Sequence, residues 1–317
     1  MEKKHQFSRT AVIVVILLAV IAVLGVQAHN RLAMQASMGA AMATPTPSPT
    51  PVPTPEVKKL TTEAELYDAL NVPSVEDDIT YSGYLPSPSA VEPLNDVIAD
   101  IHAEGYSCGF VVMDLTTGRT LMYNADTEFY SASTIKAFYV ASLADARPEL
   151  LEEEWPYKMM EAAVMVSDND AYQELGLTYG QEYLKGWMIH AGVDESKGDW
   201  YPDYCARDMA RLWVENYWWF DHNETGKKVS SFYESPNMSA IRPLMDEDIL
   251  TRTKAGWIAD IEDDHDLRAA NEGGIIYDGE HPYLLSVMTD EPADFEVLGE
   301  LMQALMDVHA DMVKEEG

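Results

Sequence analysis

Three short polar motifs carry residue types suited to acyl transfer. The first, Ser133-Thr134-Ile135-Lys136, opens a predicted helix, and a spacing of three puts hydroxyl and amine on one helical face. A partly desolvated lysine can lose its proton and act as base toward the hydroxyl. The free N–H groups and positive end of the helix favour an anion developing at Ser133. The second, Ser167-Asp168-Asn169, follows the apolar run Ala162 to Val166 and precedes Ala171-Tyr172. Its hydroxyl would relay a proton to a leaving group, and its amide would hold a substrate carbonyl. The third, Lys254-Ala255-Gly256-Trp257, falls on a predicted strand, where a small residue and a glycine let a substrate approach free backbone N–H groups. Taken singly, each is also what a capped helix, a polar turn or a strand with a solvated lysine would show.

Positioning these motifs is the task of the surrounding elements. Apolar residues at helical spacing (Val91, Leu94, Val97, Ile98, Ile101) predict a helix over 91–103. Ser107–Leu115 and Arg119–Tyr123 read as strands joined by the turn Thr116-Thr117-Gly118. From Ser133 to about Met245 the chain reads helical, at Ala137–Leu143, Tyr157–Val166, Gln181–Ala191, Arg207–Phe220 and Ser239–Met245. Strands return at Arg252–Ala259, Ala269–Tyr277 and Tyr283–Thr289, before an amphipathic helix from Ala293 to about Val313. Short turns favour antiparallel pairing. The expectation is an α+β fold of the three-layer α/β/α type. A five-stranded antiparallel sheet is flanked by N- and C-terminal helices, and an all-helical subdomain (about 133–250) is inserted between strands 2 and 3.

Composition narrows the setting. Over 317 residues, 21 Lys+Arg stand against 54 Asp+Glu, a formal charge of −33. That argues against a nucleic-acid partner, which demands a basic patch. The 47% of apolar residues suffices for a real core. Lys3, Lys4 and Arg9 precede an apolar run from Ala11 to Val26, the pattern of export. An uncleaved membrane anchor within residues 1–30 is favoured over a signal peptide cut after Ala28, and either makes the domain extracytoplasmic. ATPTPSPTPVPTP, from Ala43 to Pro55, reads as an extended polyproline spacer. Residues 31–90 are expected to be this spacer and an irregular lead-in, with the folded domain at 91–317. Cys108 and Cys205 are too few for a disulfide framework and read as two free, buried thiols.

In order, the three motifs resemble the S-x-x-K, S-D-N and K-T-G set of class A β-lactamases and penicillin-binding proteins. YSASTIKAFYVASL and VMVSDNDAY read like that family's segments around nucleophile and loop. The resemblance implies a penicillin-recognising serine hydrolase with a β-lactamase/transpeptidase-like fold, and it covers roughly Val91 to the C-terminus. It implies that Ser133 is acylated, that Lys136 is general base or proton relay, and that Ser167 shuttles protons to the leaving nitrogen. Asn169 would bind a side-chain amide of the substrate and Lys254 would supply positive charge. The backbone N–H groups of Ser133 and Trp257 would form the oxyanion hole beside Ala255 and Gly256. Substrates would be β-lactams, cell-wall peptides or related amides and esters, with no cofactor and no metal.

Three departures from the pattern matter. Ala255 stands where the motif has threonine, removing a hydroxyl that would help hold a substrate carboxylate. The strand that carries a carboxylate-clamping arginine in many of these enzymes reads Glu272-Gly273-Gly274-Ile275-Ile276, so Arg252, two residues before Lys254, is the substitute, with Arg268 weaker. No E-x-x-L-N segment, the source of the deacylating glutamate, lies between Ala191 and Cys205. GVDESKGDWYPDY offers only Glu195, Asp199 and Asp203 outside that motif. Slow release of an acyl adduct is therefore expected. A D,D-peptidase or transpeptidase acting on cell-wall peptides, and a catalytically silent envelope module of the same fold, are the alternatives. Gly105-Tyr106-Ser107-Cys108-Gly109 matches G-x-S-x-G only literally, because helix, turn, strand is the wrong order for a nucleophile elbow. Eight histidines without H-E-x-x-H or paired spacing give metal catalysis no support. Glu262–Asp266 reads as a solvated turn, and the aromatic run Trp213, Tyr217, Trp218, Trp219 and Phe220 as core or groove lining.

Overall fold

The computed structural model describes residues 59–258 and 267–314. The apolar run 11–26, the proline-rich spacer and the acidic stretch 262–266 lie outside them. None of the described helices is long and apolar enough to cross a membrane.

Along the chain come α1 (Glu63–Ala69), β1 (Ile79–Ser82), α2 (Pro88–Ala103), β2 (Cys108–Asp114), β3 (Thr120–Tyr123) and β4 (Glu128–Tyr130). A helical middle follows: α3 (Ile135–Ala146), α4 (Glu154–Met165), α5 (Asn169–Tyr179) and α6 (Glu182–Ala191), then the short strand β5 (Asp203–Cys205), α7 (Ala206–His222) and α8 (Glu224–Val229). The chain ends with β6 (Leu250–Ile258), β7 (Ala269–Tyr277), β8 (Tyr283–Thr289) and α9 (Phe295–Met312). Among the described residues the main sheet has the order β1-β3-β2-β8-β7-β6, every pairing antiparallel.

Alternation along β2 shows why the sheet is a middle layer. Phe110 and Val112 join the core beneath α2 and α9, with Leu94, Ile98, Leu301 and Leu305. Val111 and Met113, one residue out of phase, join the core beneath the helical subdomain, with Phe138, Leu143, Met209 and Trp213. A strand apolar on both faces needs a cover on both, which the flanking helices and the helical insertion provide. The fold is therefore α+β with the anticipated layering.

The sheet differs from expectation by one strand. β1 extends it at the β3 edge to six strands, and α1 precedes it, both inside the stretch read as an irregular lead-in. The domain thus begins well before residue 91. Only Leu66 of α1 is buried and β1 spans four residues, too little for periodicity to register. A capping box still marks α1, with Glu65 N–H donating to Thr62 Oγ1 at 3.4 Å and Thr62 N–H to Glu65 Oε2 at 3.2 Å. The helix α5 falls within the stretch that reads helical, between two of the segments singled out there. Ser239–Met245 forms only a single 3₁₀ turn at Arg242–Leu244. Cys108 and Cys205 are free and buried.

A buried carboxylate ties the sheet to the segment leading into β6. Glu272 of β7 is wholly inaccessible and accepts from Ser239 Oγ at 2.6 Å, Ala240 N–H at 2.5 Å and Ile241 N–H at 3.3 Å. Glu272→Leu would leave these donors unpaired in the interior. A loss of about 3 kcal/mol is expected, read as a lower urea midpoint at unchanged slope.

Candidate active site

The turn Ala132–Thr134 precedes α3 and carries Ser133 at the mouth of the helix. α3 is buried from Ile135 through Ala144, so it is a central helix wrapped by apolar neighbours rather than an amphipathic surface one. Its approach is pinned from several sides. Ser131 N–H donates to Pro202 O at 3.0 Å, Asn271 Nδ2 of β7 to Tyr130 O at 2.8 Å, and Thr134 Oγ1 bonds to the Tyr204 hydroxyl. Ala132 is held at φ +45°, a left-handed conformation that an alanine adopts only under constraint.

Strand β6 passes directly over this turn. A Cβ added at Gly256 would lie 2.6 Å from both Ser133 N and Thr134 N and 3.0 Å from Ser131 O. All three are backbone atoms that cannot yield, so only glycine permits the approach. Because β6 is the sheet's edge, part of its backbone is left unclaimed by β7 and faces the Ser133 turn.

The second motif enters from the helical side. Ser167 joins α4 to α5 at φ +60°, and Asp168 caps α5 by accepting from Ala171 N–H at 2.9 Å. Lys136 Nζ donates to Ser167 O at 2.7 Å and to Asn169 Oδ1 at 2.6 Å. Lys254 Nζ donates to Ser167 Oγ at 3.0 Å and to Ala255 O at 2.5 Å. Ser167 is thus bonded to one lysine through its carbonyl and to the other through its hydroxyl. Lys136, Ser167, Asn169 and Lys254, up to 118 positions apart, close into one hydrogen-bonded group, which the Ser133 side chain does not join.

Both lysines are buried, Lys136 fully and Lys254 to 2% exposure. Burial pulls Lys136 down to about 8, opposed by the charge of Asp168. Lys254 falls to about 7, through burial and repulsion from Lys136, opposed by Glu272. Burial in turn pushes Glu272 above the usual carboxylate range. Burial of both amines, with repulsion from Lys136 added at Lys254, favours their neutral forms, so the lysine one helical turn after Ser133 gives up its proton more readily than a solvated one.

In front of the group lies a cavity of about 460 Å³. Ser133, Asn169 and Trp257 line it, with aromatic walls from Tyr130, Tyr172, Trp200 and Tyr201. Tyr201 O–H donates to Asn169 Oδ1 at 3.3 Å, and Tyr172 O–H to Trp200 O at 2.8 Å. Among the described residues, no Asp, Glu, Lys or Arg lines the cavity.

Arg252 is placed elsewhere. Its guanidinium pairs with Asp221 at 3.2 Å and Glu234 at 3.3 Å, donates to the Tyr277 hydroxyl at 2.7 Å and stacks over the rings of Phe220 and Tyr277. Its partners tie β6 to α7 and β7, away from the cavity. Arg268 lies over the ring of Tyr106, also away from it. Of the acidic residues in 192–204, Glu195 starts an exposed 3₁₀ turn, Asp199 accepts from Trp200 N–H, and Asp203 pairs with Tyr130 between β5 and β4. The aromatic run in α7 goes to the core through Trp213, Trp219 and Phe220, while Trp218 stacks on His222.

Composition-led reading overlooked the cavity's aromatic walls. Trp200 and Tyr201 sit inside the segment searched only for a carboxylate, and Tyr130 directly precedes the Ser131–Ser133 run. The signal was an aromatic pair, Trp200-Tyr201, followed by Pro202 in an otherwise polar loop.

A family profile matches most of the folded domain, and solved structures share its fold. The profile of the Beta-lactamase enzyme family matches residues 90–149 and 157–308. Among solved structures, the β-lactamase of Sphaerobacter thermophilus superposes with a TM-score of 0.57 at 16% identity, covering 71% of this chain and 98% of that one. The carbapenemase VCC-1 of Vibrio cholerae gives 0.55 at 18% identity, over 68% and 99%. PBP-A gives 0.57 at 16%, over 74% and 99%. No match was found among curated proteins.

Gly256→Ala would push β6 off the Ser133 turn while leaving every titrating group in place. Acylation of Ser133 is expected to fall by about 100-fold, as a misplacement of about 1 Å would cause, with a smaller effect on thermal stability. Single-turnover mass spectrometry beside a melting curve checks this.

Proposed function

Since the chain belongs to the β-lactamase enzyme family, we propose that it is a serine acyl-transfer hydrolase that forms an acyl-enzyme on Ser133. The observation that supports this reading best is the hydrogen-bonded group of Lys136, Ser167, Asn169 and Lys254, one helical turn from a Ser133 that lines an open cavity. In it, Lys136 in its neutral form takes the proton of Ser133 Oγ as the hydroxyl attacks an amide or ester carbonyl. The N–H groups of Ser133 and Trp257 receive the negative charge that develops on the carbonyl oxygen. Ser167, bonded to Lys254, returns a proton to the leaving group. Asn169 and Tyr201 hold the acyl portion, and the aromatic walls exclude water from it.

Release of the acyl group is the slow half of the reaction. Hydrolysis needs a base that activates a water near the ester, and the cavity wall carries no carboxylate among the described residues. Transfer to an incoming amine, as in a transpeptidase acting on cell-wall peptides, is the second course open to such an intermediate.

We place the domain outside the cytoplasm. Support comes from the sequence, through the positive flank, the apolar run 11–26 and the proline-rich spacer after it.

Intact mass spectrometry with an acylating β-lactam or thioester is expected to show one adduct on the native protein and none on Ser133→Ala. The adduct should persist for minutes or longer. Absence of an adduct with every acylating probe would leave a silent binding module in its place. The pH dependence follows from the sign of the lysine shift. Because the neutral form of Lys136 is the reactive one, acylation should climb about tenfold per pH unit below its value of about 8, then level off. Lys136→Arg keeps the charge but cannot lose a proton, so it should be slower by about 100-fold or more and flat across the same range.

A further inference from the structure

Apart from the Ser133 cavity, three helices bring metal-ligating side chains to one point. Glu63 comes from the first turn of α1, His190 from the last turn of α6 and Glu215 from the middle of α7. His190 Nδ1 lies 2.6 Å from Glu215 Oε2 and 3.9 Å from Glu63 Oε1, and the three ligand atoms all fall within 4.8 Å of one another. Tyr67 follows Glu63 by one turn on the same face of α1. Its hydroxyl touches both carboxylates, 3.3 Å from Glu63 Oε1 and closer still to Glu215 Oε2. None of these four residues lines the cavity.

Protons and acceptors do not match in this cluster. Tyr67 has a single O–H to give to two carboxylates, and the Nδ1 of His190 carries at most one hydrogen for the same pair. With a neutral imidazole the group holds two negative charges, and among the described ion pairs neither carboxylate has a lysine or an arginine. Arg211 lies over the Tyr67 ring, but its guanidinium donates to Ala191 O and Asn71 Oδ1. Glu215 is only 8% exposed, so little water screens it from Glu63.

A divalent cation resolves that mismatch, and the donor set selects its kind. Zinc bonds imidazole nitrogen and carboxylate oxygen at about 2.0–2.2 Å, which sets tetrahedral ligands about 3.4 Å apart. The separations of 2.6 and 3.9 Å bracket that value. Magnesium and calcium take oxygen ligands and gain nothing from an imidazole.

We propose that Glu63, His190 and Glu215 form a binding site for a divalent transition-metal ion of the zinc type, which staples α1 to the helical subdomain. In the filled site the metal takes the place of the proton between His190 and Glu215, water completes the coordination, and the Tyr67 hydroxyl orients a carboxylate from outside it. The His190 side chain is 60% exposed, which leaves the ion a path of entry. The role is structural. α1 is seven residues long with only Leu66 buried, too little apolar contact to hold so short a helix firmly. Nothing in this assignment depends on the chemistry of Ser133.

Calorimetric titration of the chelator-treated, full-length protein with zinc chloride tests the site. One equivalent is expected to bind, and the saturated protein to melt about 5 °C higher. Glu63→Gln and His190→Ala each remove a ligand. Each should weaken binding by about 100-fold or more, the upper end of what losing even an outer-shell partner costs, and should melt at one temperature with or without zinc. Cobalt(II) chloride supplies a readout that needs no variant, since four-coordinate cobalt absorbs visible light far more strongly than the hydrated ion. Absence of zinc binding by the native protein would overturn the proposal, as would a cobalt spectrum identical to that of the hydrated ion. So would undiminished binding in both variants, which would place the zinc on other histidines. An equal rise in melting temperature with calcium chloride would also overturn it, by tracing the effect to the acidic surface alone.

Discussion

Burying two lysine amines against one serine disfavours charge on both, and the architecture beside Ser133 is organised about that conflict. Lys136 and Lys254 come from opposite directions, one from the central helix of the helical subdomain and one from the edge strand of the sheet. They meet across Ser167, which accepts from one through its carbonyl and from the other through its hydroxyl. Their repulsion and their burial both favour proton loss, and a neutral amine beside a hydroxyl is a base. Glu272, sealed behind the strand and itself reluctant to ionise, moderates the repulsion on one side, and Asp168 does so on the other.

Holding that arrangement uses backbone conformations that a chain adopts only when surrounded. Ala132 and Ser167 both lie in the left-handed region, at the nucleophile turn and at the loop between the lysines. The close passage of β6 across the Ser133 turn restricts residue 256 to glycine. Bonds from Asn271, Pro202 and Tyr204 fix the turn against the sheet and the 199–204 segment. That segment contributes Trp200 and Tyr201 to the cavity and no acid, so the wall it builds is aromatic and uncharged.

Much of this was legible before any coordinates. The β-forming residues of Ser107–Leu115 read as a strand, and the S-x-x-K and S-D-N motifs contain Lys136, Ser167 and Asn169, which lie in one hydrogen-bonded group. Other parts were not legible. α1 and β1 are too short and too sparsely apolar to show a period, so they passed for an irregular lead-in although they extend the sheet to six strands. Arg252 shares a strand face with Lys254, which made it a natural candidate for a substrate contact. Asp221, Glu234 and Tyr277, from α7, the segment after α8, and β7, claim it first. The aromatic pair Trp200-Tyr201 stands among the acidic residues of 192–204, and only the fold brings it to the cavity wall.

The division follows from the range of the forces involved. Helical and strand periodicity, the spacing of Ser133 from Lys136 and the surplus of acidic residues are local or additive properties, and the linear chain carries them outright. The electrostatic state of a side chain depends on who its neighbours are and how little water remains between them. Lys254 loses its proton more readily than a solvated lysine because the interior and Lys136 surround it, and Arg252 is paired because carboxylates distant in sequence hold it. Those pairings exist only once the sheet and the helical subdomain have closed on each other.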